Sequence, residues 1–114
     1  MILHIAVRAE WDRAVSNATA YVPDRYGSDG FVHCSSPAQV LGPAHRLFRG
    51  RTDLVLLVID PARLGARVIE EPGDPGSAET FPHVYGPIEL DAVTRVIDFP
   101  PGPDGRFTVP NIDS

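Results

Sequence analysis

The stretch Gly30-Phe31-Val32-His33-Cys34-Ser35-Ser36-Pro37 decides how this chain folds. It has the pattern of a short β-strand that ends in polar side chains and turns directly into a helix. Alternation along a strand places Phe31, His33 and Ser35 on one face and the intervening residues on the other. An imidazole and a hydroxyl then lie together beside an aromatic ring, which favours a small-ligand site at this strand end.

The residues after this strand predict the start of a helix. Ser36 is a natural N-cap, Pro37 suits the first helical position, and Gln39 completes a Ser-x-x-Gln capping box. The free N–H groups at such a start attract an anion or a carbonyl oxygen. Ser36 is therefore assigned, with Ser35, to the ligand-binding end of the strand.

Two main helices are predicted from apolar residues at helical spacing. Pro43 falls inside the second, so either that helix kinks there or a short turn at 37–41 precedes it. The first buried stripe comprises Trp11, Ala14, Val15 and Ala18, and the second comprises Val40, Ala44, Leu47 and Phe48.

The remaining pattern predicts an α+β domain over residues 1–99, followed by a Pro/Gly-rich tail at 100–114. The loop at 20–30, rich in turn residues, could cover a pocket. The tail is expected to contain a turn at 102–105 and a short pairing segment at 107–109. The other predicted elements are a central strand at 2–7, a strand buried on both faces at 54–59, a strand at 67–71, an extended surface or sheet-edge segment at 81–88 and a last strand at 92–99.

Composition narrows the function classes. The chain has 114 residues, a formal net charge of −5 and scattered basic residues, which makes nucleic-acid capture an unlikely main activity. A single cysteine excludes an internal disulfide and fits a reducing compartment. No apolar run has the length of a membrane span and no signal peptide is visible, so we expect a cytoplasmic protein with a small-molecule partner.

Three histidines, His4, His33 and His83, lie in strand-like segments, and this pattern predicts a shared site. For any one of them alone, a core histidine bonded to the backbone is the favoured interpretation, and the three together favour a functional site. Together they could form a three-histidine zinc site, although their spacing is not specific for a metal. His45, beside Arg46 on the second helix, is interpreted as a solvated surface residue.

Cys34, the two glutamates of the predicted strand at 67–71 and Tyr85 each have a structural interpretation as well as a functional one. Cys34 follows His33 but points to the opposite strand face, so it is interpreted as a small buried hydrophobe rather than a nucleophile. One of Glu70 and Glu71 must point inward if that segment is a strand. Tyr85 could stack on a planar ring or cap the core with its hydroxyl in water.

The Phe-Val-His-Cys-Ser segment at 31–35 and the Phe-Pro-His-x-Tyr-Gly-Pro segment at 81–87 resemble those of a bacterial family known as domain of unknown function 952. The resemblance covers about residues 2–99. That family is similar to the ADP-ribosyltransferase-like superfamily, whose fold is a split, mostly antiparallel sheet with NAD in the cleft. The resemblance therefore implies a transferase-type site with NAD as substrate and no metal cofactor.

The resemblance also implies roles for individual residues. His4 would match the first-strand histidine that binds the NAD ribose, while the adjacent backbone holds the carboxamide. His33 and Ser35 would match the second-strand position. The third position, usually a glutamate, falls on the segment with His83 and Tyr85, as in the His-His branch that includes RNA 2′-phosphotransferases.

Because the usual glutamate is missing, three hypotheses about the function stay open. In the first, Glu71 replaces the acid and the protein transfers ADP-ribosyl groups or an RNA 2′-phosphate. In the second, the cleft is a non-catalytic binding module for a small ligand. The third is a metal-dependent hydrolase that uses the three histidines, and the sequence leaves the oligomeric state undetermined.

Overall fold

Two antiparallel sheets of three strands each form the fold in the computed structural model, which describes residues 1–73 and 76–112. The predicted α+β class is confirmed. The first sheet has the order β1 (Ile2–Val7), β3 (Leu54–Ile59) and β6 (Val93–Asp98), and the second has the order β2 (Val32–His33), β5 (Thr80–Tyr85) and β4 (Arg67–Pro72).

The helices are α1 (Arg8–Asn17), the short α2 (Tyr26–Asp29) and α3 (Leu41–Leu47), with single 3₁₀ turns at Pro61–Arg63 and Leu90–Ala92. No helix in the described ranges combines the length and apolarity needed to cross a membrane.

Strand β3 forms the centre of the core. All six of its residues are buried, as their continuous apolar run predicted. Val55 and Leu57 belong to one apolar cluster and Leu54 and Leu56 to the other, so the strand separates two packed layers. Each buried branched side chain contributes about 1.5–3 kcal/mol, which makes this strand the main apolar support of the first sheet.

The helices are shorter than their apolar stripes predicted. Trp11 and Ala14 are buried, but Val15 is 49% exposed and Ala18 ends α1 in the left-handed region with φ 52°. Leu47, the last residue of α3 and part of the second stripe, is likewise exposed at 50%.

Helix α3 begins at Leu41, not at Pro37, because residues 37–40 form a separate turn. Pro43 then lies in the first turn of the helix, where its missing N–H is not required. The side-chain Oε1 of Gln39 accepts the N–H of Ser36 at 3.0 Å, as in the predicted capping box. The anion-attracting helix start predicted at Ser36 is therefore wrong, since no helix starts there.

Strand β5 is the middle strand of the second sheet, and its predicted place as a surface or sheet-edge segment is wrong. Pro82 is tolerated in this strand because the N–H that it lacks would not face β4. Its carbonyl accepts the Cys34 N–H at 3.0 Å and therefore faces β2. The N–H and C=O of a strand residue point to the same side, so the missing donor also faces β2, which ends at His33. The ladder between β5 and β4 is left intact.

Strand β1 is an edge strand of its sheet, not the central strand predicted. Its outer side is nevertheless joined to the segment after β2, because Leu3 and Ser35 exchange two backbone hydrogen bonds of 2.7 and 2.8 Å. This bridge joins the two sheets and positions the site described below.

The C-terminal segment packs onto the domain. Phe107 stacks on Phe99 with ring centroids 4.8 Å apart, and the Phe107 N–H donates to Nε2 of His45 at 2.8 Å. His45 is thus a partly buried anchor, and its interpretation as a solvated residue is wrong. The turn at 102–105 is confirmed, no strand forms at 107–109, and residues 113–114 of the predicted tail lie outside the described ranges.

Replacement of Phe107 by alanine should lower the free energy of unfolding by about 3–5 kcal/mol, because it removes a buried ring and leaves a cavity. Urea denaturation measures this loss. Val109→Ala, two residues away and 41% exposed, is the matched control and should change stability by less than about 0.5 kcal/mol. Equal effects of the two substitutions would contradict the packing of this segment into the core.

Candidate functional site

A cleft with a volume of about 380 Å³ lies where the two sheets separate. Its walls come from β1, from the segment 33–35, from β5 and from α3. Tyr21 and Asp29 also line it, which confirms that the loop at 20–30 covers a pocket. The volume falls within the range of about 300–1,000 Å³ typical of small-molecule sites.

The cleft exists because the pairing between β1 and the segment 33–35 stops after one step. In an antiparallel ladder the bonded pair Leu3–Ser35 would be followed by a bonded pair Ile5–His33. Instead, the His33 carbonyl accepts a hydrogen bond from Nδ1 of His4 at 2.6 Å. No backbone hydrogen bond joins Ile5 to His33, and Ile5 lines the cleft, so its N–H and C=O form an open edge there.

His4 is held neutral between two partners. A carbonyl can only accept, so Nδ1 carries the proton, and Nε2 then accepts the hydroxyl proton of Tyr21 at 2.9 Å. Burial lowers the pKa of His4 to about 4 and also raises the pKa of the Tyr21 hydroxyl. Both ring nitrogens of this wall residue are therefore engaged, and its direct contact with a ligand stays a prediction.

His33 and His83 come together as predicted. They are opposite each other in the β2–β5 register, and their ring centroids are 5.3 Å apart with the planes inclined by 69°. Phe31 stacks on His83 at 4.1 Å, nearly parallel to it. The alternation of residues 30–37 thus places Phe31 and His33 on one sheet face, and the β2–β5 register places His83 on the same face.

The His33 ring is oriented by an acid from α2. Its Nε2 donates to Oδ2 of Asp29 at 3.0 Å, and the same oxygen forms an ion pair with Nε of Arg25 at 3.3 Å. Burial lowers the pKa of His33, while the hydrogen bond to Asp29 acts in the opposite direction. Sequence reasoning missed Asp29; its position four residues before His33, at the end of a Gly/Ser-rich loop, was the signal that could have found it.

The His83 ring is oriented by Glu71, which is the inward-pointing acid predicted for β4. Nδ1 of His83 lies 2.8 Å from Oε1 of Glu71, and the Tyr85 hydroxyl donates to the same oxygen at 2.5 Å. These hydrogen bonds, first from Tyr85 and then from His83, lower the pKa of Glu71. Glu71 is not part of the cleft wall, so it reaches the site through His83.

Tyr85 lies on the same sheet face. Its ring centroid is 5.3 Å from that of Phe31, and the side chain is 39% exposed. The hydrogen bond to Glu71 raises the pKa of its hydroxyl. The ring therefore extends the aromatic surface beside the imidazoles instead of capping the apolar core.

Two polar atoms on deeply buried residues of the cleft wall lack a partner among the described residues: Oγ of Ser35 and Nε2 of His83. Ser35 is only 5% exposed and His83 only 3% exposed, and both line the cleft. Within the described ranges, every fully buried side-chain nitrogen or oxygen has a hydrogen bond. These two atoms must therefore be accessible from the cleft, where a ligand could reach them.

Ser36 lies outside this arrangement, whereas Cys34 lines the cleft. Ser36 does not line the cleft, and its N–H is bound by Gln39. Cys34 is a buried core residue, as predicted, and burial raises the pKa of its thiol to about 12, which removes it as a nucleophile. No group of three or more His, Cys, Asp or Glu side chains in the described ranges could hold a metal ion.

The cleft also has a cationic side. Arg25, Arg46 and Arg51 all line it. Arg25 is paired with Asp29 and Arg51 with Asp53, whereas Arg46 forms no ion pair among the described residues. Arg46 is therefore available to an anionic group on a ligand.

Comparisons with known proteins give a family and a fold. Residues 5–96 match the sequence profile of the family described as Protein of unknown function (DUF952). The crystal structure of protein CC0527 from Caulobacter crescentus, a structural genomics target, is 34% identical, covers 94% of this chain and 92% of its own, and superposes with a TM-score of 0.81. Its solution NMR structure gives 35% identity, coverages of 92% and 89%, and a TM-score of 0.78. No curated protein matches the sequence.

The low pKa of His4 predicts that stability falls as the pH drops from about 6.5 towards 4, because the unfolded chain binds the proton first. The full loss from this one group is about 3 kcal/mol. Urea unfolding at pH 7.0 and 4.5 measures it. In His4→Asn, the side-chain amide can still donate to the His33 carbonyl but does not titrate, so its pH dependence should be weaker; a variant with the wild-type dependence would contradict the assignment.

Proposed function

This chain belongs to the family described as Protein of unknown function (DUF952), and we propose that its cleft binds a nucleotide of the NAD or ADP-ribose type for ADP-ribosyl transfer or the related transfer of an RNA 2′-phosphate. The observation that carries the proposal is the open backbone edge of Ile5 beside the paired imidazoles of His33 and His83. In one cavity, these protein groups can contact the amide, the sugar and the planar ring of such a nucleotide.

The backbone edge supports recognition of a carboxamide. A carboxamide presents one donor and one acceptor in a plane, and the free N–H and C=O of Ile5 present the complementary pair. Two such hydrogen bonds together contribute about 1–3 kcal/mol. The nicotinamide group is therefore placed at this edge, next to His4.

The rings and hydroxyls of the second sheet support recognition of the adjoining ribose. His33, His83 and Ser35 line the cleft and supply polar atoms, whereas Phe31 and Tyr85 lie outside the cleft wall, where Phe31 stacks on the His83 ring. Arg46 is placed to neutralise a phosphate at the rim of the cleft. In this arrangement His4 and Tyr21 hold the cleft wall in place. Their side chains are hydrogen-bonded to each other, and His4 also donates to the His33 carbonyl.

A non-catalytic binding module is the second candidate, and one observation favours it. Among the described residues, three carboxylates line the cleft and all are engaged: Glu10 accepts the N–H of Asp24, Asp24 forms an ion pair with Arg13, and Asp29 binds His33. Glu71, expected to replace the missing glutamate, reaches the site through His83. Mass spectrometry after incubation with NAD separates the candidates, because only transfer or hydrolysis releases nicotinamide.

Isothermal titration calorimetry with NAD, ADP-ribose and nicotinamide tests the proposal. Arg46→Ala should weaken ADP-ribose binding about tenfold, because a charged hydrogen bond is lost, and should leave nicotinamide binding unchanged. Arg49→Ala, an exposed arginine outside the cleft wall, is the control and should change neither affinity. Absence of binding of both NAD and ADP-ribose at millimolar concentration would contradict the proposed function.

A further inference from the structure

We propose that His83 is the general base of this site, accepting through Nε2 the proton of the hydroxyl or water that attacks the ribose, while Ser35 holds that oxygen in place. The inference rests on the proposed function, since it assigns a role within the same cleft. It follows from the hydrogen bonds of His83, from its access to the cleft and from the position of Ser35.

The protonation of the His83 ring follows from its partner. An ionised carboxylate can only accept, so the 2.8 Å contact with Glu71 places a proton on Nδ1. The neutral ring then carries its lone pair on Nε2, the nitrogen without a partner among the described residues. A histidine acts as a base through an unprotonated ring nitrogen that the substrate can reach. A hydrogen bond at the other ring nitrogen holds the imidazole in that tautomer and orientation.

The orientation of the ring is fixed in two further ways. The Tyr85 hydroxyl binds the same oxygen of Glu71, which holds the carboxylate behind the imidazole. Phe31 stacks on the ring at 4.1 Å and fixes its plane. Little reorganisation is then required before proton transfer, which is the condition for efficient acid–base catalysis by a positioned side chain.

Ser35 lies where it can hold the attacking oxygen. The hydrogen bond from Cys34 to Pro82 continues the β2–β5 register, so Ser35 is opposite Phe81 and diagonal to His83 on the same face. Diagonal neighbours in antiparallel pairs are about 7–8 Å apart, which leaves room for one oxygen between the two side chains. A hydroxyl there can donate to His83 and accept from Ser35.

The other two histidines are less suited to this role. His4 has both nitrogens engaged by described partners. His33 also has one nitrogen on a carboxylate, Nε2 on Asp29, but its side chain is 42% exposed, so its other nitrogen is open to solvent. His83 alone among the three combines deep burial with an accessible unpartnered nitrogen.

In the step proposed, the oxygen of water or of an acceptor hydroxyl forms a bond to C1 of the NAD ribose as the bond from C1 to the nicotinamide nitrogen breaks. The bonding electron pair leaves with nicotinamide, which departs as a neutral molecule. The proton of the attacking oxygen passes to Nε2 of His83, and Glu71 stabilises the resulting imidazolium. With water, the products are ADP-ribose, nicotinamide and one proton.

The test uses the full chain and NAD, with nicotinamide release measured by chromatography and NAD affinity by calorimetry. His83→Ala should lower the rate at least about 100-fold, and added imidazole should restore part of it by occupying the space left by the ring. The affinity for NAD should fall by about tenfold at most, the loss of one hydrogen bond to the ribose, so the rate should fall more than the affinity. His45→Gln, at a histidine outside the cleft, should keep the wild-type rate.

A second measurement needs no variant. Two-bond ¹H–¹⁵N correlation spectra of the wild type should place the proton of neutral His83 on Nδ1, and a proton on Nε2 would overturn the assignment. Unchanged turnover in His83→Ala, or a lost rate that imidazole does not restore, would also overturn it. If the wild type binds NAD but releases no nicotinamide, the role of His83 as a base is wrong and nucleotide binding is retained. If the wild type does not bind NAD, the proposed function itself is wrong.

Discussion

The hydrogen bond from His4 to the His33 carbonyl is the contact on which the cleft depends. It occupies the carbonyl that the next rung of the β1 ladder would use, so the two sheets part at Ile5. Loss of the donor would leave a carbonyl without its partner, at a cost of about 1–3 kcal/mol. Tyr21 supports this bond from the other side of the ring and thereby fixes which nitrogen donates.

Around this opening, the site relies on carboxylates that hold imidazoles. Asp29 holds one ring from a short helix, and Glu71 holds the other from a neighbouring strand. The two acids approach from different elements, so each ring is oriented independently. Polar groups arranged in this way are set before a ligand arrives, and this preorganisation is what binding and catalysis both require.

Local patterns in the sequence predicted the parts of this structure that depend on near neighbours. The continuous apolar run of β3 and the alternation of Phe31, His33 and Ser35 could be interpreted without the partner strands. The role of His45 could not, because its partner Phe107 lies 62 residues away and contributes only a backbone N–H. Tyr21 could not be predicted for the same reason. Its loop shows no periodicity, and its importance for the site comes from one hydrogen bond to His4, 17 residues away.

Pro82 also determines the direction in which the His83 ring faces. A slip of β5 by one residue would turn every side chain of that strand to the opposite face and send the imidazole into the apolar layer. The same slip would aim the missing donor of the proline at β4 and delete a rung of that ladder. An imino acid in the middle strand thus fixes the register, and Pro82, which does not line the cleft, determines that the His83 imidazole does.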